Sequence, residues 1–139
     1  MLQQLTTSAL LLGITTLIHG FFIAIAASCM RPFFKQMPSA IRFMRNMIIL
    51  VFLALVLSFA HFLEIGIWGY AYLRLGVVED FETALYFSSV SYTTLGLGGI
   101  EIAKEWRLLP GATAANGFLL FGMSAAFMMD IKNKMRLNR

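Results

Sequence analysis

Six consecutive residues, Thr93-Thr94-Leu95-Gly96-Leu97-Gly98, offer backbone chemistry more than side-chain chemistry. Glycine at alternate positions opens conformations closed to other residues. An extended strand with that freedom can aim successive carbonyl oxygens the same way. Several such strands around an axis would make stacked rings of carbonyls that replace a cation's hydration shell. Thr94 would add a ring of hydroxyls at the inner end. The chemistry suits a monovalent cation that has lost some or all of its water.

A second pair, His61 and Glu64, lies inside an apolar run. At i and i+3 the two share one helix face, with Trp68 and Tyr72 continuing it. A carboxylate at membrane depth is a functional candidate by default. Three roles compete. Glu64 can buttress the glycine segment by bonding Ser88, Ser89 or Tyr92. His61 can sense pH, its unperturbed pKa of about 6.5 being easily shifted. The two can bind a metal or relay protons. The first role is preferred, because a buried polar group needs a partner and the metal role lacks further ligands nearby. His19 is expected past the middle of the first apolar run, as a helix–helix hydrogen-bond partner, and Cys29 at its inner boundary.

The elements that must position these residues are set by composition. The 139 residues are 59% hydrophobic and 13% charged, with a mean hydropathy of +0.77. A soluble domain carries roughly a quarter of its residues as charges, so the apolar excess must face lipid. Each spanning helix takes about 20 residues. Three spans nearly exhaust the chain and leave no room for a soluble catalytic domain.

The net charge of +4 is localised. Arg31, Lys35, Arg42 and Arg45 sit in one connection, and Lys132, Lys134, Arg136 and Arg139 in the tail. Arg74, Lys104 and Arg107 share their segment with Glu79, Asp80, Glu82, Glu101 and Glu105. Cytoplasmic loops carry the Lys/Arg excess. The connection and tail therefore read as inside, and the mixed segment as outside. The same basic clusters attract anionic lipid. Nucleic-acid binding is set aside.

Helix one is expected over 5–29, with its N-terminus outside. A signal peptide is disfavoured, because no Lys or Arg precedes the run and its apolar core is too long. A cytoplasmic connection follows over 30–46, broken by Pro32 and Pro38. The second helix covers 47–72 and ends in Trp68, Tyr70 and Tyr72, read as an interfacial belt. A short helix over 81–92, capped by Asp80, is too brief to cross and must enter and leave on one side. The segment 93–99 follows it. Trp106 anchors a polar return loop, Pro110 opens the last helix, and that helix covers 112–130. It is rich in small residues, which let helices approach closely. The fold class is thus an all-α membrane protein in a single domain, residues 1–139.

The stretch from about Phe81 to Met129 resembles the pore of the potassium channel superfamily. The likeness rests on Ala84-Leu85-Tyr86-Phe87-Ser88, on Thr93-Thr94-Leu95-Gly96-Leu97-Gly98, on Trp106-Arg107-Leu108 and on the small-residue final helix. It is most similar to the two-pore-domain-type ion channel module of small bacterial membrane proteins. The resemblance implies a homotetramer in a bacterial inner membrane, with a re-entrant pore helix. Thr94 would form the innermost ion site, the carbonyls of Leu95, Gly96 and Leu97 the sites above, and Gly98 the outer mouth. Leu97 replaces the family's aromatic residue and Gly99 its Asp, changes that loosen a filter. Glu101 can supply outer negative charge.

On this reading residues 47–72 form the outer helix and 112–130 the cavity-lining inner helix, while helix one packs peripherally. Gly117 and Gly122 are candidate gating hinges or close-packing residues. Asn116 and Ser124 are expected to face cavity water. The expected function is a passive monovalent cation channel, potassium-conducting, with no enzymatic chemistry and no cofactor beyond bound permeant ions such as K+. The alternatives are a proton- or metal-linked transporter using His61 and Glu64, and a non-conducting accessory subunit. Enzyme readings lack a nucleophile triad, a metal-ligand cluster and a phosphate loop.

Overall fold

A computed structural model describes residues 1–30, 39–96 and 100–137. Arg31, Pro32, Lys35 and Pro38 of the basic connection, Leu97, Gly98 and Gly99 of the glycine segment, and Arg139 lie outside the described residues. Among the described residues four α-helices make the fold: α1 (Leu2–Met30), α2 (Ser39–Arg74), α3 (Phe81–Tyr92) and α4 (Leu109–Leu137), with a 3-10 turn at Lys104–Trp106. No strand occurs among the described residues. Among the described residues three segments are long and apolar enough to cross a membrane: Leu2–Met30, Ile41–Arg74 and Lys104–Arg136.

Helix α1 is inside-out by the standards of a soluble helix. Its buried stripe is Gln4, Ser8, Leu11, Thr15, His19, Ala26 and Met30. Leu2, Leu5, Leu10, Leu17, Phe21 and Ile25 are exposed. Lipid accepts the apolar face at no cost, whereas polar groups must find partners inside the protein. Gln4 shows how: its Oε1 accepts from the amide of Leu108 at 2.9 Å, and its Nε2 donates to the Lys104 carbonyl at 3.4 Å. The start of α1 is thereby tied to the segment that leads into α4. At the other end Ala26 and Met30 meet Ile49, Leu53, Ile131 and Met135.

Two helix bounds differ from hydropathy. Helix α2 starts at Ser39 rather than Met47. Its 36 residues span about 54 Å at 1.5 Å per residue, well beyond the roughly 30 Å hydrocarbon core. The turns holding Arg42 and Arg45 are therefore helix outside the hydrocarbon, which an apolar run does not reveal. Helix α4 likewise continues past Asp130 to Leu137. Lys134 Nζ donates to Asp130 Oδ2 at 2.7 Å, one turn away, and such i,i+4 pairs extend a helix beyond its apolar part.

Trp68 and Tyr72 do not belong to an interfacial belt. Both are fully buried, as Tyr70 is not. They join Phe87, Tyr92, Leu109 and Leu120 in the main apolar cluster. The Thr113 hydroxyl donates to the Leu109 carbonyl, so Tyr72 donates to Thr113 Oγ1, at 2.6 Å. Trp106, expected as an anchor, is also buried in this cluster. Local composition marks aromatic residues near a helix end but does not say which way they face.

Helix α3 is held by close backbone contact. Asp80 caps it, its Oδ1 accepting from the Thr83 amide at 2.9 Å. Thr83, through its side chain and then its amide, holds the Asp80 carboxyl below the usual carboxylate range. Against α2, a Cβ on Gly69 would sit 3.3 Å from the Ala84 carbonyl oxygen. Ser88 Oγ donates to the Ile65 carbonyl at 2.7 Å. Against α4 the approach is closer still: a Cβ on Gly117 would run into the Tyr92 carbonyl oxygen. Gly117 is thus a close-packing residue in an unbroken helix, while an added Cβ on Gly122 meets nothing within 4 Å.

Gly117→Ala must push α3 off α4. Overpacking of this kind costs about 1–3 kcal/mol, and the thermal midpoint of the purified chain should fall accordingly. Gly13→Ala, in the interior of α1 where an added Cβ meets nothing within 4 Å, should hold or raise the midpoint, because alanine is the better helix former. Equal midpoints for the two variants would contradict the contact.

Candidate functional site

The end of α3 is where backbone groups are turned to a purpose. Thr93 donates from its amide (3.0 Å) and its hydroxyl (2.7 Å) to the Ser89 carbonyl. The Thr94 amide donates to the Ser91 carbonyl at 3.0 Å. The amides of Leu95 and Gly96 then both donate to the Val90 carbonyl, at 2.9 and 3.2 Å. The segment Thr93–Gly96 is therefore a turn that closes α3, not the extended strand expected from its composition.

That turn still orders the carbonyls. Among the described residues there are no cis peptides, so each amide hydrogen there points opposite to the carbonyl oxygen of its own peptide group. With the Leu95 and Gly96 amides both aimed at Val90, the carbonyls of Thr94 and Leu95 both point away from α3. The conformation has a cost. Gly96 has φ 61° and Thr94 has φ 58°. Glycine takes such a value freely, but a β-branched residue there is a true outlier. Strain of this sort persists only where the surroundings impose it, and it clusters at functional sites. The sequence points to glycine freedom and to Thr94 as a site residue, but the positive φ of Thr94 carries no sequence signal. Both Thr94 and Leu95 are exposed on the single chain.

Behind the turn lies a buried polar cluster. Glu64 is fully buried. Its Oε1 lies 2.9 Å from His19 Nδ1, and its Oε2 3.2 Å from His61 Nδ1. The Tyr92 hydroxyl donates to Oε2. His61 Nδ1 is also 3.0 Å from the Tyr92 hydroxyl. Both remaining imidazole nitrogens face one atom, Ser124 Oγ, each at 3.1 Å. All four helices contribute: His19 from α1, His61 and Glu64 from α2, Tyr92 from α3, and Ser124 from α4. Phe121 covers the His61 ring, centroid to centroid 4.3 Å.

Of the three partners expected for Glu64, Tyr92 is the one it meets. Ser88 and Ser89 donate instead to the carbonyls of Ile65 and Leu85. His19 is correctly a helix–helix partner, but it was expected too far from Glu64 to matter. The register of α1 is fixed by contacts at its two ends, Gln4 with Leu108 before α4 and Met30 with Ile49 of α2, which hydropathy does not encode. Asn116 and Ser124 do not face a cavity. Asn116 Nδ2 donates to Thr15 Oγ1 at 2.7 Å, and Ser124 joins the histidines. Helix α1 covers that face of α4, so its polar residues pair there. It is not peripheral to the polar interior.

A family model described as ion channel matches residues 48–132, which is more than half of the chain and takes in most of α2, all of α3, the turn and most of α4. The chain belongs to the ion channel family. The match supports the resemblance to the potassium channel pore module. Together with three helices able to cross a membrane, it makes this ion channel chain an integral membrane protein. No curated protein and no solved structure matches the chain. The matched region leaves out α1 and with it His19, so the buried cluster joins the channel module to a helix outside it.

Tyr92→Phe removes a hydrogen bond to a charged group, worth about 1.5–3 kcal/mol. The thermal midpoint should drop, and native-state exchange at the α3 amides should accelerate. Unchanged exchange would show that Tyr92 does not anchor α3.

Proposed function

We propose that the chain is one quarter of a passive, homotetrameric channel for monovalent cations, potassium-conducting, in a bacterial inner membrane. One turn supplies two successive outward carbonyls, those of Thr94 and Leu95, and this observation carries the reading. Four copies around an axis would stack them as rings, with Gly96, Leu97 and Gly98 extending the filter outward and Thr93 behind it. Carbonyl rings replace the hydration shell of a monovalent cation without any side-chain charge.

The strain at Thr94 supports the same role. A lone exposed loop has no need to hold threonine at positive φ, whereas a filter must present its oxygens before the ion arrives. Helix α3 serves as the re-entrant pore helix, its carboxyl end lending partial negative charge near the ion path. Helix α4 lines the cavity. Gly122 is the freer of the two hinge candidates, since Gly117 is held against Tyr92. The N-terminus lies outside and the C-terminus in the cytoplasm, where its basic residues meet anionic lipid.

The purified chain in liposomes should pass K+ down a gradient without any coupled proton movement. Thr94→Ala should cut the preference for K+ over Na+ by about tenfold, the scale of roughly one hydrogen bond's stabilisation of the ion. Absence of cation flux, or flux and selectivity untouched by Thr94→Ala, would refute the proposal.

A further inference from the structure

The buried cluster is one positive charge short of satisfying its own hydrogen bonds. Five contacts close a ring: Glu64 to His19, His19 to Ser124, Ser124 to His61, His61 to Tyr92, and Tyr92 to Glu64. Each contact needs one hydrogen. An ionised Glu64 brings none, while two neutral imidazoles, one serine and one tyrosine hydroxyl bring four in all. A buried carboxylate also needs its charge compensated.

A cation bound at the centre supplies what is missing. His19, His61 and Glu64 each place a ligand atom within 4.8 Å of the others, and all three residues are buried. The separations around Glu64 and Tyr92 are 2.9, 3.2 and 3.0 Å. In a tetrahedral site with bonds near 2.0–2.2 Å, neighbouring ligand atoms stand roughly 3.3–3.5 Å apart. An ion is admitted when these three contacts spread by a few tenths of an ångström and the closer Tyr92–Glu64 contact opens by more.

Ser124 decides between a chance cluster and a built site. Ligation through both Nδ1 atoms leaves a hydrogen on both Nε2 atoms. Metal-bound histidines almost always donate that hydrogen to an oriented acceptor. A hydroxyl oxygen has two lone pairs and accepts both, and Ser124 Oγ stands 3.1 Å from each ring. With no metal and both imidazoles neutral and protonated at Nδ1, its single hydrogen serves only one of two bare nitrogens.

We infer that His19 and His61 through Nδ1, the Glu64 carboxylate and the Tyr92 phenol oxygen form a closed site for a divalent transition-metal ion of the zinc class. Imidazole nitrogen with carboxylate and phenol oxygen suits zinc, copper, iron or nickel rather than the hard, permeant cations. Four protein ligands leave no open position, so the ion is structural. It fastens α1, α2 and α3 together at the residue directly before Thr93. The site does not depend on conduction, and a chain that passed no ions would still hold it.

The test is metal content and ligand geometry of the full chain in detergent, stripped by chelator and reloaded with Zn2+ or Co2+. One ion per chain is expected. X-ray absorption of the zinc form should show two imidazoles and oxygen ligands at about 2.0–2.2 Å. His19→Ala should abolish binding, and Ser124→Ala should weaken it about 10–100-fold. No uptake by the folded wild-type chain would overturn the inference and leave the ring closed by a proton. A ligand shell without two imidazoles, or uptake unchanged by His19→Ala, would overturn it equally. The wild-type spectrum decides the matter even where a variant fails to fold.

Discussion

A carboxylate without water is the constraint on which this fold depends. The hydrocarbon core offers no hydrogen bonds, so Glu64 has to find its partners in the protein's interior. Its partners come from the far reaches of the sequence, His19 on α1 and Tyr92 on α3, with Ser124 of α4 linked through the histidines. Breaking a buried charged pair by removing one partner costs about 3–5 kcal/mol. Few single contacts in a chain of this size carry as much, and none other in the described residues engages every helix. The inverted character of α1 follows from the same rule. Its polar stripe turns inward because lipid takes the apolar face and nothing else will take the polar one.

From Glu64 the constraint passes to the backbone by short steps. Tyr92 is the last residue of α3, so fixing its hydroxyl fixes the end of that helix. Gly117 lets α4 close on the Tyr92 carbonyl from the other side, and Gly69 lets α2 close on Ala84. Between these contacts α3 has little freedom to slide or roll. The Val90 carbonyl then gathers the amides of Leu95 and Gly96, and the carbonyls of Thr94 and Leu95 face outward as a geometric consequence. A polar cluster in the interior thus sets the direction of oxygens on the surface.

The sequence made some of this legible and concealed the rest for physical reasons. Asp80 followed by an apolar run is a local signal, and the start of α3 could be read from it. The likeness to an ion channel pore rested on a contiguous segment and agrees with the family match. The partnership of Glu64 with Tyr92 was one of three options, because helix spacing restricts which residues share a face without choosing among them. His19 was placed out of reach because register between helices is set by distant end contacts. Trp68 and Tyr72 look interfacial by position, and only packing shows them buried. The positive φ of Thr94 carries no sequence signal, since threonine would avoid it if left alone. Asn116 and Ser124 look water-facing by their polarity, and only the packing of α1 shows them paired inside.

The central claim is that the outward carbonyls of Thr94 and Leu95 are one quarter of an ion path. An experimental structure of the assembled protein in K+ tests this most directly. The account predicts four chains about an axis, with ion density on that axis level with the Thr94 and Leu95 carbonyls. Carbonyls facing lipid, or an assembly without an axis through this turn, would contradict it.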